Sequence, residues 1–389
     1  MPPTILVTAF EPSGDHLAAP VIRELLARRP DLRILAYGGP RMQAAGAEVV
    51  EITTEDAQMG FPTLAKIREH FHLNARIDRW LTSHPIDLHL PVDSPAANFP
   101  ICKLTRARDT PIVHLAAPQL WAWAPWRIRK LRRLTDLVLC LLPFEPEWFM
   151  ARGVQARFIG HPIFEKPLDP DAIAAQIATF PKPSSGGAKL AILPGSRPKE
   201  WKHNFPILLR AFDRLRAERP GTVGVVTASS ARAETELRAL AAAHSGGGWP
   251  EDLHLAHDAV DAAARWADLS LAVSGTVTLQ LARAAAPMAL VYHIAPWQYH
   301  AIGRWIIQSH SATLPNLIAG RRIVPEFVPC TGRASAYLDA ASKLLADDAA
   351  RERQRDDLCV LVRDPFETHR PTSDAADAIL EKLRAVAPA

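Results

Sequence analysis

Cysteine is scarce in this chain: Cys102, Cys140, Cys330 and Cys359 are the only four among 389 residues. They are scattered, with no metal-like pairing, and read as reduced thiols of a cytosolic protein. Long apolar runs are lacking too. None approaches the ~20 residues that cross a bilayer, which confines any membrane contact to the periphery. The opening Met1-Pro-Pro-Thr-Ile-Leu lacks the basic start of a signal peptide and reads as a first strand. Charge of one sign is not in excess. With 45 basic against 41 acidic side chains the balance is +4, which argues against bulk binding of nucleic acid. No Gly-x-Gly-x-x-Gly is present, which argues against a nicotinamide dehydrogenase. The one Asp-x-Asp, Asp169-Pro-Asp171, lies among prolines and reads as helix capping rather than a metal clamp. No metal site and no cofactor is expected.

What is present is alternation. Short apolar runs at 4–9, 33–37, 86–91, 111–115, 136–142 and 156–159 read as strands, separated by helical segments at 14–28, 64–82, 97–107 and 124–133. The second half repeats the scheme, with strands at 188–193, 222–227, 253–256, 268–273 and 288–292 and helices near 204–218, 231–243, 260–266, 276–285 and 334–346. The fold class is therefore α/β, with two parallel-sheet domains. Their expected extents are 1–165 and 188–359, with a proline-rich linker at 166–187 and a C-terminal helix, 360–389, that rejoins the first domain. In such folds ligands sit at the C-terminal ends of the strands.

Two turns in the second half point to a diphosphate. The strand Ala188–Leu193 runs into Pro194-Gly195-Ser196-Arg197, and a helix follows from about Asn204. Backbone N–H groups, a hydroxyl and a guanidinium meet there, which suits a phosphate. The alternative is an ordinary strand-to-helix turn with a surface arginine. The strand at 268–273 ends in a turn of the same kind, Ser274-Gly275-Thr276-Val-Thr278-Leu-Gln280. Farther on, Asn316 and Glu326 offer partners for sugar hydroxyls, or else a capped turn and a helix start.

In the first half, Glu11-Pro-Ser13-Gly14-Asp15-His16 follows the first strand, with Ser13 as the expected N-cap. It is either an acceptor site with a general base or a capped helix with acidic first-turn residues. Asp93, with Asn98 nearby, ends the strand at 86–91 and offers a proton acceptor or plain turn chemistry. Trp121, Trp123 and Trp126 fall within six residues, just ahead of Arg127, Arg129, Lys130, Arg132 and Arg133. Such a cluster suits a lipid–water boundary or a sugar face. Phe61, Leu64, Ile67 and Phe71 follow helical spacing beside Lys66 and Arg68, a stripe that is either core or interfacial.

Nine segments in order carry a resemblance: Glu11-x-Ser-Gly-Asp15, Gly38-Gly-Pro-Arg-Met42, Pro118-Gln-x-Trp-Ala-Trp123, Leu142-Pro-Phe-Glu145, Gly160-His-Pro162, Leu193-Pro-Gly-Ser-Arg197, Ser274-Gly-Thr-x-Thr-Leu279, Leu314-Pro-Asn316 and Val324-Pro-Glu326. Over roughly residues 4–345 the chain resembles the lipid-A-disaccharide synthase family. The resemblance implies a GT-B glycosyltransferase, two Rossmann-like domains facing across a cleft. It implies a UDP-sugar donor, UDP-2,3-diacylglucosamine, and a lipid acceptor, 2,3-diacylglucosamine 1-phosphate, joined as a β-1,6 disaccharide with release of UDP. Members are cytoplasmic and associate with the anionic inner face of the membrane, and the implied partners include a second copy of the chain in a homodimer.

Four positions depart from the family pattern. Phe10 precedes Glu11 where the family has glycine. Ala96 stands where the family has its favoured catalytic aspartate, Ala117 where it has serine, and Gln280 where it has glutamate. The base is then sought among Asp93, Glu11 and Asp15. The leaving diphosphate falls to Ser196, Arg197 and the N–H groups near Ser274-Gly275-Thr276.

Overall fold

The structure is a computed structural model, and it describes residues 2–54, 64–122, 124–294, 311–330 and 334–385. The chain divides into two compact units, Met1–Glu165 with His369–Ala389, and Lys166–Thr368.

The first unit begins with β1 (Thr4–Thr8), α1 (Pro12–Arg28), β2 (Arg33–Gly38), α2 (Pro40–Ala44), β3 (Glu48–Ile52), α3 (Leu64–Ser83), β4 (Leu88–Pro91) and α4 (Pro95–Arg106). It continues with β5 (Val113–Leu115), α5 (Ile128–Leu134), β6 (Leu137–Cys140), α6 (Glu145–Met150), β7 (Ala156–Phe158) and α7 (Pro162–Glu165). The strands pair in parallel as β3-β2-β1-β4 and β5-β6-β7. Parallel bridges His89–Ile112 and Val92–Leu115 join the two sets, so β4 lies beside β5. Every residue of β1 is buried, as a central parallel strand covered on both faces requires. On one face Ile5, Val7, Ile22 and Leu25 share a core with Ala375, Ala376, Ile379 and Leu383 of the C-terminal helix Pro371–Arg384. At about 1.5–3 kcal/mol for each large side chain buried, that packing holds the tail on this unit. Arg28 reinforces it with Asp377 at 2.7 Å. On the other face Leu73, Ile77 and Leu81 of α3 meet Leu6, Leu35 and Tyr37.

The second unit contains α8 (Pro170–Ala178), β8 (Lys189–Leu193), α9 (Pro198–Glu218), β9 (Val223–Ala228), α10 (Ala231–Ser245), β10 (Leu253–His257), α11 (Val260–Trp266), β11 (Leu269–Val273), α12 (Val277–Arg283), β12 (Met288–His293) and β13 (Glu326–Cys330). Its sheet is parallel throughout, in the order β10-β9-β8-β11-β12-β13. The stretch 166–187 falls within this unit and carries α8, capped by Asp169, whose Oδ1 accepts from the N–H groups of Asp171 and Ala172.

In both sheets the first strand lies between the second and the fourth of its unit. The chain therefore reverses direction across the sheet between β1 and β4, and again between β8 and β11. Crevices beyond the strand ends at such switch points are where doubly wound folds hold ligands. The turns singled out in the sequence all lie there: those after β1 and β4 in one unit, those after β8 and β11 in the other.

The structure corrects three local expectations. Helix α9 begins at Pro198, not near Asn204, because proline is preorganised for the first helical position. Strands β3 and β13 were not anticipated. Both are edge strands, where exposure alternates or a proline intervenes. The N-cap of α1 is Glu11, and Ser13 lies inside the helix. Among the described residues no helix is long and apolar enough to cross a membrane.

Candidate functional site

The switch point of the first unit is built around a strained turn. Asp93 and Ser94, just past β4, take left-handed conformations with φ of 49° and 33°. Such conformations cost non-glycine residues of order 1–3 kcal/mol each and persist only where the surroundings enforce them. Asn98, fully buried in α4, supplies that enforcement. Its Nδ2 donates to the carbonyls of Val92 at 3.0 Å and Asp93 at 2.9 Å. Its Oδ1 accepts from Thr8 Oγ1 at 2.7 Å. The single hydroxyl proton of Thr8 is thereby committed, so His89 Nε2, 2.9 Å away, is the donor to Thr8 Oγ1. His89 Nδ1 then accepts from Thr105 Oγ1 at 3.0 Å. That tautomer requires a neutral ring. Burial, helped by neighbouring His114, brings His89 down to about 3. The buried chain Thr105–His89–Thr8–Asn98 thus delivers its last two donors to the turn that carries Asp93.

Burial is the main influence on the Asp93 carboxyl and raises it above the ordinary aspartate value. The N–H of Ser94 opposes this, the charge of Glu11 adds to it, and the hydroxyl of Ser13, 3.4 Å from Oδ2, opposes it again. Glu11, Ser13 and Asp93 therefore form one group. Ala96, at the first turn of α4, is exposed.

Asp15 is placed differently. Its carboxylate is buried and accepts from the N–H groups of Arg41 at 3.1 Å and Met42 at 2.9 Å, capping α2. A Cβ on Gly39 would come within 2.4 Å of Asp15 Oδ2, so only glycine permits this approach.

Of the Trp cluster, Trp121 is anchored rather than displayed. Trp121 Nε1 donates to Glu145 Oε1 at 2.9 Å, and its ring meets Phe144 edge-on at 5.0 Å. Burial pushes Glu145 up to about 7, against the pull of Trp121 and of the Leu142 and Leu141 N–H groups. Arg127 is half-buried, its guanidinium 5.8 Å from the Phe99 ring, and burial lowers its pKa. Phe71 on α3 and Trp126 are exposed large apolar side chains, at 69% and 61%. Phe61 and Trp123 lie outside the described residues, as do the side chains of Leu64 and Ile67.

In the second unit the two turns differ. Gly195 has φ of 96°, and a Cβ there would lie 2.4 Å from Glu200 Oε2. The same oxygen accepts from the N–H groups of Ser196 at 3.0 Å and Arg197 at 3.2 Å. The donors expected to cradle a phosphate are thus engaged by a carboxylate of the chain's own. Arg197 Nη1 lies 3.2 Å from Glu200 Oε1, yet the Arg197 side chain is 59% exposed. Trp201 Nε1 donates to the Gly195 carbonyl at 2.8 Å and fixes the turn from beneath. The turn after β11 is more open. Gly275 and Thr276 are exposed, while Thr278, buried, donates from Oγ1 to the Gly275 carbonyl at 2.7 Å. Ser274 Oγ donates to the Ala312 carbonyl at 3.2 Å, and Gln280 is half-buried on α12.

Asn316 and Glu326 are occupied internally. Asn316 accepts at Oδ1 from the N–H groups of Ile323 and Val324 and donates to the Val324 carbonyl, all within 3.0 Å. Glu326 Oε2 accepts from Thr313 Oγ1 at 2.6 Å and Thr313 N at 3.1 Å. Through Thr313 and Ala312 it braces the segment that Ser274 touches.

Glu200, Thr8 and His89 were not singled out in the sequence, and Glu145 only as the end of a motif. Arg197-x-x-Glu200 has the spacing of a capping box, which was a readable signal. Thr8 and His89 are 81 residues apart and had none.

A family model for lipid-A-disaccharide synthetase matches residues 5–379. A lipid-A-disaccharide synthase of Burkholderia mallei is 34% identical over 359 residues, 91% of this chain and 90% of the relative. That of Anaeromyxobacter dehalogenans is 32% identical over 351 residues, 90% of each. Among solved structures, the glycotransferase of kitacinnamycin superposes with a TM-score of 0.63 at 16% identity, covering 98% of this chain and all of the other. The calicheamicin glycosyltransferase gives 0.62 at 18%, covering 99% of each, and S. aureus MnaA solved with UDP gives 0.63 at 13%, covering 98% and 97%. The fold is GT-B.

Proposed function

The chain belongs to the lipid-A-disaccharide synthase family, and from that we propose that it joins UDP-2,3-diacylglucosamine to 2,3-diacylglucosamine 1-phosphate. As a member it is a hexosyltransferase of lipid A biosynthesis; the named substrates and an inverting course are our reading. The observation that carries it is the clamped Asp93 turn at the switch point of the first sheet.

In this reading the acceptor's primary hydroxyl gives its proton to the Asp93 carboxylate. Its oxygen forms the bond to the donor's anomeric carbon from the face opposite the diphosphate. The anomeric C–O bond breaks, and its electron pair leaves with UDP. A raised carboxyl is a stronger base than an ordinary aspartate, which suits proton removal near neutral pH. The charge of Glu11 beside Asp93 adds to that rise. Asp15 accepts from two N–H groups of α2, so this reading gives the proton to Asp93 instead. On the donor side, the Arg197 guanidinium and the exposed turn Gly275-Thr276 meet the charge that develops on the diphosphate. Exposed Phe71 and Trp126, with Arg129, Arg132 and Arg133 on α5, support a peripheral contact with an anionic bilayer at the cytoplasmic face of the inner membrane.

UDP release by the purified chain, measured with donor alone and with donor plus acceptor, tests this directly. Release that depends on the acceptor is expected, and donor binding without release would refute it. Ala96, where the family carries a carboxylate, favours a second reading, a glycosyltransferase of this family with another acceptor. Release driven by a non-lipid sugar and not by 2,3-diacylglucosamine 1-phosphate would support that reading.

A further inference from the structure

His16, Ala19, Pro20 and Arg23 lie three, four and seven positions apart on α1, one stripe of the helix. They face Arg41 and Ala44 of α2 across a pocket of about 300 Å³. Three basic side chains line it and no acidic one does. Several other arginines of this unit find carboxylates: Arg28 pairs with Glu24 and Asp377, Arg33 with Glu48, Arg76 with Glu51 and Arg106 with Asp136. Arg23 and Arg41 have no such partner among the described residues. Glu24, next to Arg23, is bonded to Arg28, and Asp15, next to His16, is buried against the backbone of α2. The charges in the pocket are therefore left for something outside the chain.

We propose that this pocket binds a phosphate monoester. Such a group carries about 1.5–2 negative charges near neutral pH and three acceptor oxygens, which two guanidinium forks and an imidazole match. Position adds to charge. His16, at the near end of the pocket, lies three residues of α1, about 4.5 Å, beyond Ser13, whose hydroxyl reaches Asp93. A sugar phosphate with its primary hydroxyl at Asp93 carries its anomeric phosphate at the far side of the ring, a separation of that order. The pocket then holds the phosphate of the acceptor, an assignment that rests on the proposed function. A phospholipid headgroup shares the chemistry and is the other source.

The test is calorimetric titration of the full chain with N-acetylglucosamine 1-phosphate, with N-acetylglucosamine as the uncharged control. Only the phosphate ester is expected to bind. Arg23→Gln and Arg41→Gln are each expected to weaken it at least about tenfold, the loss of one charge-assisted fork. Both positions are exposed, so the fold is expected to survive. In parallel, sedimentation with phosphatidylcholine vesicles containing phosphatidic acid reports the other source. Loss of vesicle binding in both variants, with no binding of the sugar phosphate, assigns the pocket to a headgroup. Unchanged binding of both probes in both variants overturns the proposal. Because neither titration needs turnover, a chain that binds the phosphate ester but releases no UDP keeps the pocket and refutes the reaction.

Discussion

Asn98→Ala tests whether the Asp93 turn, the proposed seat of the base, is held from beneath. The substitution removes two donors, to Val92 O and Asp93 O, and the acceptor of the Thr8 hydroxyl. Each polar group left unpaired in the interior costs about 1–3 kcal/mol. Part of this is recovered: Thr8 can turn its proton to His89 Nε2, provided the ring moves its own proton to Nδ1 and donates to Thr105. The Val92 carbonyl has no such recourse, while that of Asp93 is only part-buried and keeps the His114 ring beside it, which leaves a net loss of about 1–3 kcal/mol. Against total stabilities of about 5–15 kcal/mol, that is a large displacement of a urea midpoint.

Turnover is expected to fall further than stability alone explains. With the clamp gone, the left-handed pair Asp93-Ser94 relaxes toward ordinary backbone and the carboxylate leaves its place. Misplacement by about 1 Å costs up to about 100-fold. Asn98→Asp separates the two effects. It keeps an oxygen for Thr8 but sets a second oxygen against two carbonyls, so it is expected to be at least as damaging as alanine. The assays are urea unfolding and acceptor-dependent UDP release, both well below the unfolding midpoint. If Asn98→Ala is destabilised while kcat stays within twofold of the parent, the turn supports itself and the positioning role is wrong.

Asp93→Asn is expected to lower kcat more than tenfold with little change in the urea midpoint, and a near-normal rate would move the base to Glu11. Arg197→Lys is expected to fall almost as far as Arg197→Ala, more than tenfold in UDP release. A fork with one edge on Glu200 Oε1 and one on phosphate has no equivalent in an ammonium; full activity with lysine would show that a point charge suffices. His114 is fully buried, and burial brings it to about 4 against the pull of the Asp93 backbone beside it. The unfolded chain takes up this proton near pH 6.5 and the folded chain does not until about 4. Stability therefore falls as pH drops through that window, by about 1.4 kcal/mol per unit for this residue. Urea midpoints of His114→Leu between pH 7 and pH 4.5 are expected to fall less steeply than those of the parent; equal slopes would mean that the ring is already charged or solvated.

The central strands were legible because they are buried on both faces and stand in the sequence as largely apolar runs, such as Leu190–Leu193 or Met288–Val291. The edges were not. Glu48-Val-Val-Glu-Ile52 alternates between exposed and half-buried positions, and β13 carries Pro329, which speaks against a strand except at an edge. The acidic turns of the first unit were legible for a local reason, since small, acidic and proline residues crowd the end of a strand. What distinguishes Asp93 from Asp15 was not. Both are aspartates one or two residues past a glycine- or proline-containing turn. Asp15 meets amides of a helix 26 positions on, while Asp93 is clamped through Asn98 by a threonine 90 positions before that asparagine.

The two donor-side turns make the same point from the opposite direction. Pro194-Gly-Ser-Arg197 and Ser274-Gly-Thr276 look alike as strings, small residues between a strand and a helix. Glu200 separates them. At the third position of α9 its carboxylate offsets the positive end of the helix and occupies the N–H groups of Ser196 and Arg197. A phosphate oxygen placed on those same donors would meet that carboxylate head-on. In the proposed reaction the anion is met instead by the exposed face of Arg197 and by the turn at Gly275-Thr276, where no carboxylate stands in the first turn of the helix. In the proposed reaction Glu200 is a spacer: Oε1 holds the guanidinium by one edge, and Oε2 would keep a diphosphate away from the backbone of its own turn.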